Sequence, residues 1–227
     1  MTKEDEYFAQ EWTVEDWKKD WDGGKPPWWQ DKIYWPLEKH IDKLTHGKPS
    51  KIFVPCCGNM VDMKWLLDRD HTVIGADIVE AAASSFFQSY NIEHDVTDVK
   101  DYGKLYESKD SKMKMYIGDV MKFNNQYCEG GVDFIYDVGA MQAINPSQRE
   151  AYIDMEYNVL KSGGMLFVNL MGSHDVPDDA EVVPPVFQAA YDKLITRFKV
   201  ERIERYKMDI DPEYGISFCN FYLCTKM

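Results

Sequence analysis

The stretch VPCCGNMVDMKWL, Val54 to Leu66, reads as the end of a strand, a tight turn and the first turns of a helix. Ile52, Phe53 and Val54 form the apolar run that enters the turn, and Met60, Met63, Leu66 and Leu67 share a helical face over Met60 to Arg69. In an open α/β sheet, the turn after the first strand is where a ligand is held. Gly58 is the one glycine of this turn, whereas a turn that cradles a pyrophosphate carries the GxGxxG pattern. A plain packing corner satisfies the same residues, so the turn needs support from elsewhere.

Working outward, residues 51–55 are the first strand and HTVIGADI, 71–78, is the second, followed by a helix from about 79 to 90. Further strands are read at 113–120, 132–138 and 164–170. A helix from about Pro146 to Leu160 ends at Lys161-Ser162-Gly163-Gly164, since glycine accepts the left-handed cap conformation. The polar segment 94–112 is read as an irregular connection, and strands at about 199–206 and 216–224, joined by a turn at Pro212, form a terminal hairpin. Strands alternating with helices imply an α/β fold with a mostly parallel sheet and helices on both faces.

At 227 residues, 44% hydrophobic and 29% charged, the chain fits one domain spanning 1–227. Lys plus Arg number 26 against 39 Asp plus Glu, a net charge of −13, which disfavours nucleic acid and anionic membranes as partners. The acidic amino end and the lack of a long apolar run lead to the expectation of a cytoplasmic protein without a membrane segment. Five cysteines without CxxC spacing fit a reducing compartment and argue against structural zinc, and no other metal site is expected.

Six of the seven tryptophans lie in the first 50 residues. A helix at about 13–21 is expected to pack Val14, Trp17 and Trp21 on the sheet, and residues 1–50 read as a helical lid whose rings close over a ligand. Gly23-Gly24-Lys25 is not a P-loop, because the GxxxxGK[ST] spacing is absent.

Acidic residues close three successive strands. Asp77 lies 19 positions beyond Gly58, near the spacing at which a carboxylate accepts from a ribose. Asp119 follows Met115-Tyr116-Ile117-Gly118, and Asp137 follows Phe134-Ile135-Tyr136. Each is also a candidate helix cap. Without further glycines the turn does not suit a nicotinamide dinucleotide. S-adenosyl-L-methionine, which has no phosphate and is cationic at sulfur, suits an acidic pocket lined by aromatic faces. The five histidines do not cluster, and only His174, just past the fifth strand, is a candidate for a test. The Cys56-Cys57 pair reads as small packing groups rather than a redox centre.

The segments Glu15-Asp16-Trp17, WDGGKPPWW (21–29), FVPCCGNMVDMKWLLDRDHTVIGADI (53–78) and YDVGAMQAINPSQREAY (136–152) resemble the thiopurine S-methyltransferase family over about 12–225. The resemblance implies a Rossmann-like class I methyltransferase with a seven-stranded sheet and a carboxy-terminal antiparallel hairpin. It implies that Trp17, Trp21, Lys25 and Trp28 fold over the cofactor, with Cys56 and Gly58 against its methionine portion. Asp77 with Ile78 would then bind the ribose, Asp119 with Val120 the adenine, and Asp137 with Val138 would face the sulfonium and the acceptor. Trp28, Trp29, Val138 and Tyr214 are the acceptor-side candidates.

Two departures bear on the acceptor. Val138 stands where close animal members carry arginine, and Met208 to Tyr214 contains Asp209, Asp211 and Glu213 but no arginine. A neutral or very small thiol therefore fits better than thiopurine. The expected reaction is in-line methyl transfer from S-adenosyl-L-methionine to a small-molecule thiol by a monomer, driven mainly by alignment. Asp137 is the candidate for removing the thiol proton, with a positioning role as the other reading. Halide, thiocyanate, selenide or amine acceptors, and a non-catalytic S-adenosyl-L-methionine-binding relative, are the alternatives.

Overall fold

The computed structural model describes residues 6, 8–22, 30–172, 183–207 and 218–227. Side chains of a strand alternate between two faces, and in β1 (Lys51–Pro55) both faces are buried. Phe53 joins Ile74, Ile135, Leu166 and Val168 on one side. Ile52 and Val54 join Val73, Met115, Phe134, Tyr136 and Phe167 on the other. Burial on both faces is why these segments are apolar runs rather than alternating ones. Each large side chain so buried contributes on the order of 2 kcal/mol.

β1 pairs in parallel with β2 (Thr72–Asp77) and β6 (Val132–Asp137). β2 pairs with β5 (Met113–Ile117), and β6 with β7 (Leu160–Gly172), also in parallel. β9 (Phe218–Lys226) runs antiparallel between β7 and β8 (Phe198–Lys207). Helices α2 (Trp35–Thr45), α3 (Val61–Leu67) and α4 (Glu80–Ser89) cover the Ile52 face. Helices α6 (Arg149–Val159) and α7 (Gln188–Arg197) cover the Phe53 face. Two further helices, α1 (Val14–Asp22) and the single turn α5 (Ala140–Ala143), lie at the carboxyl edge of the sheet or precede it in the chain. Among the described residues no helix is long and apolar enough to cross a membrane.

The sheet differs from the sequence expectation in strand number. Segment 94–112 is not irregular: it forms an antiparallel hairpin, β3 (His94–Val99) and β4 (Gly103–Ser108), with β4 laid antiparallel on β5. The order is β3-β4-β5-β2-β1-β6-β7-β9-β8, so nine strands are present among the described residues. β3 hides little of itself, and an edge strand exposed on both faces has no apolar run to reveal it. Tyr106 of β4 is its anchor, lying against the ring of Phe87 and donating to Glu80.

The glycines at 163 and 164 also act differently from the expectation. α6 ends at Val159, where Leu160 turns extended, and Gly163, at φ 72°, sits inside β7. Its neighbourhood is a bulge, with Val132 opposite Leu160 and Phe134 opposite Met165. The order of strands reverses about β1, from β2 and β5 on one side to β6 and β7 on the other, so the crevice at the carboxyl end of β1 is the switch point.

Candidate functional site

The turn after β1 takes left-handed backbone at Cys56, φ 43°, and Gly58, φ 50°. It is stitched to the end of β2. Cys57 N–H donates to the Ala76 carbonyl at 3.0 Å, and Gly58 N–H donates to Asp77 Oδ2 at 2.8 Å. Asp77 Oδ1 accepts from Val79 N–H at 2.9 Å, so one carboxylate orders two turns. Burial pushes the Asp77 carboxyl up from its ordinary value, and the backbone donors partly offset that. Each of its oxygens still has acceptor capacity after one bond. Cys57 packs into Gly75, where an added Cβ would stand 2.8 Å from its Sγ. Burial, with the Asp77 carboxylate as the next cause, drives both vicinal thiols well above their ordinary range, in keeping with packing rather than redox chemistry.

Trp21 reaches this turn. Its ring stands 3.5 Å from where a Cβ on Gly58 would lie, so the glycine makes room for the indole face. Val14, expected to pack on the sheet, is 39% exposed, and Trp17 stacks instead on Trp12, with centroids 4.9 Å apart. α1 has no fully buried residue, and beyond Trp21 its hold comes from the residues before it. Trp12 N–H donates to Asn145 Oδ1 at 2.8 Å, and Asn145 Nδ2 donates to the Trp12 carbonyl at 3.2 Å. Ser147 donates to Glu11. Arg149, 3% exposed, donates to the carbonyls of Phe8 at 2.7 Å, Val186 at 2.9 Å and Ile144 at 3.2 Å. Asn145 and Arg149 escaped the sequence reading because a clasp onto distant carbonyls leaves no local pattern.

At the end of β5, Asp119 Oδ1 accepts from Met121 N–H at 2.9 Å and starts a short 3-10 turn, Val120–Lys122. Gly118 N–H donates to the Asp77 carbonyl at 2.8 Å, which joins this end to the last one. Ile78 and Asp119 are half-buried, and Val120 is buried. Cys56, Gly58, Asp77, Ile78, Asp119 and Val120 thus line three adjacent strand ends.

The end of β6 is built differently. Asp137 shares the strand parity of Ile135, and therefore the face covered by α6. It is wholly buried, with Oδ1 accepting from Met141 N–H at 3.0 Å and Oδ2 from the Tyr152 hydroxyl at 3.1 Å. Burial pushes its carboxyl up to about 6, and the same cause drives Glu156, one helical turn beyond Tyr152, well above the usual range. Glu156 was not among the residues singled out from the sequence, since an acid within a helix reads as a solvated one. Val138 has the opposite parity and packs at 9% exposure with the Ile52 face. Gly139, at φ 91°, donates its N–H to Asn169 Oδ1 at 2.9 Å, while Gln142 Nε2 donates to the Asn169 carbonyl at 2.8 Å. The expected positions Lys25, Trp28, Trp29, His174 and Tyr214 lie outside the described residues.

A family model described as thiopurine S-methyltransferase matches residues 12–216, which takes in α1, the turn after β1 and every strand end of the crevice. The chain belongs to the thiopurine S-methyltransferase family. Family members similar to it include a probable thiopurine S-methyltransferase of Danio rerio, 34% identical over 152 residues, 66% of this chain and 65% of that protein. The thiopurine S-methyltransferase of Equus caballus is 30% identical over 154 residues, 66% of this chain and 62% of that protein. The match spans less than two thirds of either relative's own length. Among solved structures, the N-methyltransferase NodS of Bradyrhizobium japonicum, in complex with S-adenosyl-L-homocysteine, superposes with a TM-score of 0.62 at 12% identity, covering 94% of this chain and 97% of that one. The 1,6-didemethyltoxoflavin-N1-methyltransferase of Burkholderia thailandensis, also with S-adenosylhomocysteine bound, gives 0.60 at 14% identity, covering 94% and 87%. At that identity the likeness concerns the fold: this thiopurine S-methyltransferase family member has the Rossmann-like class I methyltransferase sheet, with the β3–β4 hairpin added at one edge.

Proposed function

We propose that the protein is an S-adenosyl-L-methionine-dependent methyltransferase whose acceptor is a small-molecule thiol. The observation that carries this reading is the family match running unbroken from 12 to 216, across all the strand ends that meet at the switch point. The crevice residues fit the cofactor. Gly58 leaves room above the turn, Asp77 keeps acceptor capacity toward a pair of ribose hydroxyls, and no pyrophosphate cradle is needed. Cys56 and Gly58 are assigned to the methionine portion, Asp77 and Ile78 to the ribose, Asp119 and Val120 to the adenine, and Trp17 and Trp21 to closure from above. When bound, the cofactor supplies a methyl group already activated on a cationic sulfur.

The chain's own task is then alignment and exclusion of water. Trp21 over Gly58 and the Asn145 and Arg149 clasps hold the amino-terminal segment across the mouth. Val138, packed with the Ile52 face, brings no cationic group to the end of β6, which suits a neutral acceptor better than an anionic heterocycle. Asp137, enclosed by Met141 N–H and Tyr152, is assigned to positioning the β6 turn rather than to taking the acceptor's proton.

The test is a melting experiment with S-adenosyl-L-methionine, S-adenosyl-L-homocysteine and NADH, in which both adenosyl ligands raise the melting temperature and NADH does not. No shift with either adenosyl ligand overturns the reading. Methyl release over a panel of thiols, halides, thiocyanate, selenide and amines then fixes the acceptor class: turnover confined to thiols is expected, whereas turnover confined to another nucleophile, or none at all, refutes the thiol assignment.

A further inference from the structure

Tyr152 and Glu156 are four residues apart on α6 and so share one face, and that face lies against the sheet, with both side chains wholly buried. Asp137 meets them there. Its two oxygens accept from Met141 N–H and from the Tyr152 hydroxyl. Neither oxygen of Glu156 accepts a hydrogen bond from any described residue. Tyr152 on the same helix, Cys56 in the turn after β1 and Cys224 on β9 feel both carboxyls, and burial keeps each of the three protonated. Among the described residues no lysine, arginine or histidine pairs with either carboxyl.

Two carboxylates side by side in a dry interior cannot both ionise, and the one that lacks donors is the one that keeps its proton. A protonated carboxyl is a donor, and Asp137 is the acceptor within its reach. Asp137 in turn has two donors already in place, which favours its charged form. The arrangement therefore leaves one charge on the pair at neutral pH, at Asp137, immediately below the backbone of Val138 and Gly139.

We propose that Asp137 and Glu156 share a single proton, so that the pair holds one negative charge under the end of β6 and the crevice favours the methyl donor, cationic at sulfur, over its product, which has lost that charge. Glu156 is thus a positioning residue that acts through Asp137. The inference rests on the methyl-donor reading above for its ligand half, while its proton-sharing half stands on the pair alone.

Calorimetric titration of the full chain with S-adenosyl-L-methionine and with S-adenosyl-L-homocysteine, at pH 5 to 7, tests the ligand half. The ratio of the two affinities cancels what the ligands have in common, including their ribose contacts to Asp77. The ratio favours S-adenosyl-L-methionine at pH 7 and falls roughly fivefold to tenfold by pH 5, the scale of one charge acting over several ångströms of protein. Asp137→Asn flattens the ratio across this range, and Glu156→Gln, which keeps a donor toward Asp137, retains the preference at pH 7. A flat ratio in the wild type, or an unchanged ratio in Asp137→Asn, overturns the charge preference. Failure of both ligands to bind overturns the methyl-donor reading, and with it the ligand half. The infrared difference spectrum of wild type minus Glu156→Gln at pH 7 reads the shared proton without any ligand: a protonated-carboxyl band supports it, and its absence refutes it.

Discussion

At the end of β2 the Asp77 carboxylate binds two backbone amides, at 2.8 and 2.9 Å, and remains at the lip of the crevice. At the end of β6 the Asp137 carboxyl binds one amide and one hydroxyl, at 3.0 and 3.1 Å, and is closed off against α6. Both close parallel strands at the same edge, and the difference is one of parity. Asp77 follows Val73 and Gly75 on the face of α3 and α4, while Asp137 follows Ile135 on the face of α6. On the first face the acid meets turns that need an acceptor; on the second it meets Tyr152 and Glu156. The side of the crevice to which we assign the adenosine is thus ordered by contacts between turns, and the side to which we assign the acceptor from below, by a helix.

The largest blow to the acceptor half is Arg149→Ala. Three carbonyls lose a buried cationic donor, and stability should fall by about 4 kcal/mol in denaturant titration, with loss of the Phe8 and Val186 contacts. A change under about 1 kcal/mol would mean that the clasp holds nothing.

On the other side, Asp77→Ala frees both turn amides and removes the carboxylate we assign to the ribose. Calorimetry should show affinity for S-adenosyl-L-methionine weakened about a hundredfold, and an unaltered affinity refutes the assignment.

The pH response separates the halves further. A carboxyl held above its unfolded value adds stability that is complete below about pH 4 and is lost as pH rises through its folded value, here about 6 for Asp137. Replacing Asp137 by Asn removes that loss. The melting temperature of the variant relative to wild type should therefore climb between pH 4 and 8, by the equivalent of about 2–3 kcal/mol. A constant difference would show that Asp137 does not titrate in this range.

The smallest effect is expected for Trp21→Ala, which uncovers Gly58. Cofactor affinity should drop about tenfold with little change in melting temperature, because the ring is only partly buried. An equal loss of stability would recast Trp21 as core.

The pairing of Gly58 with Asp77 was legible as a spacing along two adjacent strands, read there as a carboxylate for a ribose; the hydrogen bond from Gly58 N–H to Asp77 at 2.8 Å came only with the structure. The terminal strands were legible too, as two strand-like stretches around a turn, and β8 and β9 stand at Phe198–Lys207 and Phe218–Lys226. The β3–β4 hairpin was not, since His94–Val99 is exposed on both faces and carries no period-two apolar signal. Glu156 was not legible either: it lies 19 positions from Asp137 on another element, and only packing brings the two acids together.

What the chain determined by itself is whatever local order encodes: apolar runs buried on both faces, hence a parallel sheet, and a single glycine in the turn at its switch point, hence no pyrophosphate cradle. What the tertiary structure decided is which face each strand-end acid meets. A strand's parity turns its last side chain one way or the other, but the groups waiting on that face come from helices far along the chain. Their donors, or lack of them, settle whether an acid binds a turn, as Asp77 does, or shares its interior with another acid, as Asp137 does with Glu156.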